Sequence, residues 1–191
     1  MSIGLKRGTV HLEEHQAEWE CVAAKTIDTL KEILGDVAVD IQHVGSTSIK
    51  WICAKPIIDV AIAVNKLNDI EQYIDVLDLN GVVFRRKFEP SHMFFVMGDF
   101  QNEIRTHHIH VVEYSSQLWR DYIIFRDYLN AFPEKAKSYE SLKLYLAQTY
   151  ADNRKEYTAG KEELIETLLN EAKAWEKNEK VLRIGNKESR I

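Results

Sequence analysis

The stretch HVGSTSIKWICAKPIIDVAIAV, residues 43–64, decides the fold. A β-rich run over 37–44 enters it and stops at Gly45-Ser46-Thr47-Ser48. A second run, 57–64, leaves it and is apolar at nearly every position, as expected of a strand at a sheet centre covered on both faces. The four small turn residues expose successive backbone N–H groups and three hydroxyls, which suits phosphate oxygens. Gly45 permits a positive φ and close approach of a ligand. The same residues also suit a plain helix N-cap turn, and turn chemistry alone does not separate the two.

Asp59 adds weight to the first reading. It lies inside the most apolar strand, between Ile57, Ile58, Val60 and Ala61. A carboxylate there is costly unless it is paired, hydrogen-bonded or bound to a metal. Lys55 stands four residues earlier, on the same strand face if the strand reaches that far. Two readings stay open. One is a structural Lys55–Asp59 pair. The other is Asp59 as a Mg²⁺ ligand facing a phosphate that Lys55 also contacts.

On the N-terminal side, Trp19, Val22, Ala23, Ile27, Leu30, Ile33 and Leu34 recur at helical spacing, with Gly35 as the stop. On the C-terminal side a helix is expected over 68–79, then strands over 82–88, 92–98 and 105–113. In the last of these, RTHHIHVV (105–112), His108 and His110 share one face with Thr106 and Val112, and His107 faces the other way. Imidazoles at i and i+2 can ligate a metal, with Asp59, His92 or His43 as third ligand. Alternatively they hydrogen-bond phosphate or backbone in a polar cleft. His43 shares its strand face with Gly45. His11 and His15 read as solvated.

Three helices are expected in the second half, marked by Leu118–Leu129, Tyr139–Tyr150 and Tyr157–Trp175. Each carries a basic residue inside its apolar stripe. Arg126 lies four after Tyr122, Lys143 four after Tyr139, and Lys161 four after Tyr157. A single such residue ordinarily snorkels outward along its neighbours. Three in succession, each beside a tyrosine, point to a shared anion, and Arg154 can join them.

Size and composition agree with this picture. The 191 residues, 45% apolar and 29% charged, fit one compact domain: an α/β core over 1–114, a helical portion over 115–178 and a polar tail over 179–191. The net charge of −5 argues against binding of duplex nucleic acid or an anionic membrane. The N-terminus has no apolar signal region, and the longest apolar stretch, near 57–64, is far short of a membrane span. Two cysteines without a CxxC spacing fit a reducing, cytoplasmic setting.

The segment HVGSTS…AKPIIDV resembles the signature of the GrpB family, small bacterial proteins classed with the nucleotidyltransferase superfamily. His108-Ile109-His110-Val111 is similar to the family's HLHV strand, and Phe125-Arg126-Asp127-Tyr128-Leu129 to its FRDYL helix. Tyr139…Leu142-Lys143 and Asn153-Arg154…Tyr157…Lys161 resemble two later motifs, in the same order. The resemblance spans about residues 15–172 and implies an α+β fold, with a nucleotidyltransferase-like mixed sheet, flanking helices and a C-terminal helical portion. The superfamily pattern joins a glycine-serine turn to a strand with two acids and a third acid on another strand, which together hold Mg²⁺. Here Gly45, Ser46 and Asp59 match, the second acid position is Ala61, and the third strand offers His108 and His110.

The expected function follows. The protein binds a nucleotide or phosphorylated small molecule between sheet and helices. Gly45, Ser46, Thr47, Ser48, Lys55, Arg126, Lys143, Arg154 and Lys161 hold its phosphates. Asp59 holds Mg²⁺, and His110 or His108 acts as base or ligand in nucleotidyl transfer. The alternatives are a nucleotide-binding module without chemistry, and a metal-dependent phosphoester hydrolase centred on the His108–His110 strand.

Overall fold

The computed structural model describes residues 3–88 and 91–188, with side chains of the last helix described as far as residue 179. Seven strands form where the β-branched and aromatic runs fall: β1 (Leu5–Lys6), β2 (Ala38–Val44), β3 (Ile58–Val64), β4 (Val83–Phe88), β5 (His92–Met97), β6 (Ile104–Arg105) and β7 (His107–Glu113). Six α-helices accompany them: α1 (Glu18–Leu34), α2 (Ile74–Leu79), α3 (Gln117–Ala131), α4 (Pro133–Thr149), α5 (Arg154–Ala159) and α6 (Glu162–Glu188). Five strands make one sheet in the order β2-β3-β7-β5-β4, while β1 and β6 pair separately. The β3–β7 pair is parallel and the other neighbours in the large sheet are antiparallel, so the sheet is mixed. The α+β class, the flanking helices and the C-terminal helical portion are those expected.

Strand β3 lies between two neighbours and is buried along most of its length. Its side chains alternate between two cores. Ile58, Val60, Ile62 and Val64 pack with Ile109 and Val111 of β7 and with Trp19, Ala23, Leu30 and Leu34 of α1. On the other face, Ala61 and Ala63 pack with Val44, Val112 and Trp119 of α3. Small residues at 61 and 63 let α3 lie close to the sheet. Asp59 is on this second face, nearest the Gly45 turn.

One open alternative falls, and one expectation needs correction. The turn after β2 does not start a helix: Ser46–Ser48 make a single 3₁₀ turn and the chain then extends at Ile49. The apolar repeat from Tyr157 to Trp175 is divided between α5 and α6, with the break at Gly160-Lys161. The break follows from packing, because Gly160 presses against α4. A Cβ at Gly160 would lie 2.7 Å from a Leu146 methyl. Periodicity carries across the break because Tyr157 still packs, against Leu146 and Val10. Helix α6 continues to Glu188, into the stretch read as a polar tail, and 189–191 lie outside the described residues. Among the described residues, no helix is long and apolar enough to cross a membrane.

Candidate functional site

A cavity of about 470 Å³ opens between the second sheet face and the C-terminal helices. Every element that the sequence marked contributes to it: Gly45 and Ser46 from the turn, Lys55, Asp59 from β3, His108 and His110 from β7, Tyr139 and Lys143 from α4, Arg154 and Tyr157 from α5, and Lys161 just before α6. Tyr122 and Phe125 of α3 complete the wall.

Strand register puts Asp59 opposite Val44 on one side and His108 on the other. Gly45, next to Val44, therefore meets the carboxylate directly. A Cβ at Gly45 would fall 2.5 Å from Asp59 Oδ2, and φ there is +71°. Only glycine satisfies both constraints without strain.

The histidines hold Asp59 from the other side. His108 Nδ1 is 3.0 Å from Asp59 Oδ1, and His110 Nε2 is 3.7 Å from the same oxygen. His108 Nε2 faces Arg154 Nη2 at 3.5 Å. His110 Nδ1 meets His92 Nε2 at 3.0 Å and the Tyr122 hydroxyl at 3.2 Å. The contacts of His108 fit one tautomer. His108 donates from Nδ1 to Asp59 and accepts from Arg154. His110 meets both His92 and Tyr122 with one ring nitrogen, Nδ1, and its Nε2 faces Asp59 beyond hydrogen-bond distance. Burial alone would push the Asp59 carboxyl up, but the hydrogen bond from His108 and the adjacent His110 imidazole outweigh it and hold the group well below the usual carboxylate range. Burial, reinforced by His110, lowers His92 to about 4.

Three lysines face this ionised carboxylate. Burial, with repulsion from Lys161 and Arg154, lowers Lys55 to about 7. Burial, with repulsion from Lys161, lowers Lys143 to about 7. Lys161 is lowered to about 8 by burial, against the pull of Asp59. Lys143, 1% exposed, donates to the Cys53 carbonyl. Among the described residues, Lys55 and Lys161 have neither a carboxylate nor a carbonyl partner. Both ammonium groups rest on Tyr157, 5.0 and 4.5 Å from its ring centre.

The GrpB family profile, described as "GrpB protein", matches residues 9–171. The chain belongs to the GrpB family. Its similarity to the glutamate-rich protein GrpB of Alkalihalophilus pseudofirmus is 38% identity over 88% of this chain and 99% of that one. The UPF0157 protein YqkA of Bacillus subtilis is 37% identical over 78% of this chain, which spans 43% of that longer relative. The crystal structure of the conserved protein GrpB from Enterococcus faecalis superposes with a TM-score of 0.80 at 28% identity, over 86% of this chain and 99% of that one.

Not every residue expected to face the ligand does so in this GrpB-family chain. Arg126 is turned to β2, where it donates to the Gln42 side chain at 2.9 Å and the His43 carbonyl at 3.0 Å, and it pairs with Asp127 at 2.8 Å. It ties α3 to the sheet. Thr47 is buried against His43, with 2.9 Å between Oγ1 and Nε2. The Ser48 hydroxyl donates to the Gly45 carbonyl. His43 pairs with Val60, so it lies on the α1 face of the sheet, away from the cavity. Lys55 precedes β3 beyond Pro56 and forms no ion pair with Asp59. The turn thus offers Ser46 alone among its hydroxyls, and this faces Tyr139.

The donors do not fit a resident GrpB metal centre. Among the described residues, Asp59 is the one carboxylate lining the cavity, its Oδ1 already accepts from His108 with His110 close by, and lysines face it. Both ring nitrogens of His108 and Nδ1 of His110 are committed within the network. Among the described residues, no three His, Cys, Asp or Glu side chains are arranged to hold an ion. The Mg²⁺ expected at Asp59 finds no second carboxylate among the described lining residues, and position 61 is an alanine covered by α3. The tyrosines at 122, 139 and 157 were visible in the sequence only as neighbours of basic residues. The structure makes them the cavity wall.

Proposed function

We infer that the cavity binds the phosphate groups of a nucleotide or another phosphorylated small molecule, and that binding is the chief role of the site. One observation carries this reading: Lys55 and Lys161 are largely withdrawn from water with no ion pair of their own, and the single carboxylate they share, Asp59, is already bonded to His108. A buried ammonium without a partner is costly, and a phosphate entering between Lys55, Lys161, Lys143 and Arg154 supplies the missing charge. Asp59, held ionised by His108 and His110, faces the same space and accepts a hydrogen bond from a hydroxyl or amine of the ligand. The Gly45–Asp59 contact favours a second reading, transfer of a nucleotidyl group to a hydroxyl, because it brings the carboxylate against a phosphate-type turn. Its low proton affinity makes Asp59 a weak base, so binding is the reading preferred.

Calorimetric titration with ATP, GTP and inorganic tripolyphosphate, with and without EDTA, tests it. Binding should persist in EDTA and weaken at least tenfold in Lys161→Met with the fold retained. Absence of binding by every phosphorylated probe overturns the proposal. Release of pyrophosphate with an added acceptor shifts the role to transfer.

A further inference from the structure

A second, larger groove of about 820 Å³ runs beside the cavity and shares His108 and Arg154 with it. Its cations come from four separate parts of the chain: Arg7 after β1, Arg85 and Arg86 on β4, Arg105 on β6, and Arg154 and Lys155 on α5. Among the described residues, Glu162 is the one carboxylate in its lining. A protein of net charge −5 therefore gathers five arginines along one groove.

Aromatic rings, rather than carboxylates, hold several of these guanidinium groups. Arg85 and Arg105 lie 4.8 and 4.6 Å from the centre of the Phe100 ring, and Arg86 lies 4.1 Å from that of Phe88. Among the described residues, Arg7, Arg85, Arg86 and Arg105 form no ion pair. Stacking fixes a guanidinium plane while leaving its N–H edges free, and those edges match phosphate oxygens two at a time. Burial, with repulsion from Arg85, Arg7 and Arg154, lowers the proton affinity of Arg105. Like charges this close are relieved by a ligand with several negative charges in a row.

We propose that this groove holds a second phosphate-bearing ligand, carrying at least two phosphate charges, whose inner end passes Arg154 and His108 to meet the ligand of the cavity. The meeting of two ligands rests on the reading of the cavity given above, whereas the groove as a phosphate site does not. Recognition rests on the guanidinium edges, and Phe94 is the phenyl ring in the described lining.

Titration calorimetry with inorganic tripolyphosphate at about 0.15 M salt, where weak surface attraction is screened, reads both sites. Wild-type protein should bind two equivalents. Arg85→Gln/Arg105→Gln should lose one, by at least tenfold in affinity, and keep the one that Lys161→Met removes. Arg7→Gln gives a milder form of the same loss if the double variant folds poorly. A single equivalent unaffected by the arginine changes overturns the groove and leaves the cavity reading standing. A single equivalent removed by the arginine changes and untouched by Lys161→Met supports the groove and overturns the cavity reading. Competition by a 5′-phosphorylated thymidine tetranucleotide assigns the groove to a phosphodiester chain, and lack of competition assigns it to terminal phosphate groups.

Discussion

His108 Nδ1 stands 3.0 Å from Asp59 Oδ1, across a parallel strand pair whose register places the two residues side by side. The pairing of β3 with β7, rather than any loop, therefore sets the charge state of the cavity's one acid. A hydrogen bond to a charged group contributes about 1.5–3 kcal/mol.

Replacing His108 by leucine should therefore destabilise the protein by about 2 kcal/mol at pH 7. Asp59 has a folded-state affinity for protons below its unfolded one, so its contribution is present above the unfolded value of 3.8 and is lost as pH falls further. The gap between wild type and His108→Leu should narrow below about pH 4 in urea melts. A gap that stays constant to pH 3 would mean that the hydrogen bond to the carboxylate is not its origin.

Gly45→Ala should cost roughly 1–3 kcal/mol, through the positive φ and the overlap with Asp59 Oδ2. Because the carboxylate must move to make room, affinity for tripolyphosphate should fall as well. Thermal melts and calorimetry measure the two effects separately, and a stable variant of unchanged affinity would contradict the contact.

The lysines set a pH profile. Lys55 and Lys143 titrate at about 7 and Lys161 at about 8, against 10.5 for an ordinary lysine. The unfolded chain binds these protons more tightly, so ligand-free stability should rise from pH 7 towards 10. Phosphate binding needs the protonated forms, so tripolyphosphate affinity should fall between pH 7 and 9. Melting temperatures and titrations across this range check both slopes, and parallel slopes would refute the assignment.

Arg126→Leu separates structure from binding. The side chain bridges α3 to Gln42 and the His43 carbonyl, so its loss should destabilise the fold by about 1–3 kcal/mol. Tripolyphosphate affinity of the folded variant should stay within twofold of wild type. A selective loss of affinity would return Arg126 to the ligand.

Much of this was legible in residues 43–64. The apolar run around Asp59 marked a central strand and a carboxylate needing partners, and the small-residue bend marked its neighbour. Alternation along 105–112 put His108 and His110 on one face before their partner was known. Lys143 and Lys161 were readable from helical spacing, but Arg126 had the same spacing and a different fate. Spacing fixes the face of a helix and not what lies opposite, which here is the polar edge of β2. The 55–59 pairing misled because Pro56 and the late start of β3 break the strand alternation that the argument needed. The arginine groove left no local signal, because its residues come from positions 7, 85, 86, 105 and 154 and only the folded sheet assembles them.

Ala61 has a consequence for redesign. It is fully enclosed with Ala63, Val112 and the Trp119 indole, in a layer whose thickness is set by methyl groups. Writing a second acid into that strand would require lifting an entire helix from its seat. An acid at position 61 would therefore carry a packing cost on top of the cost of burying its charge.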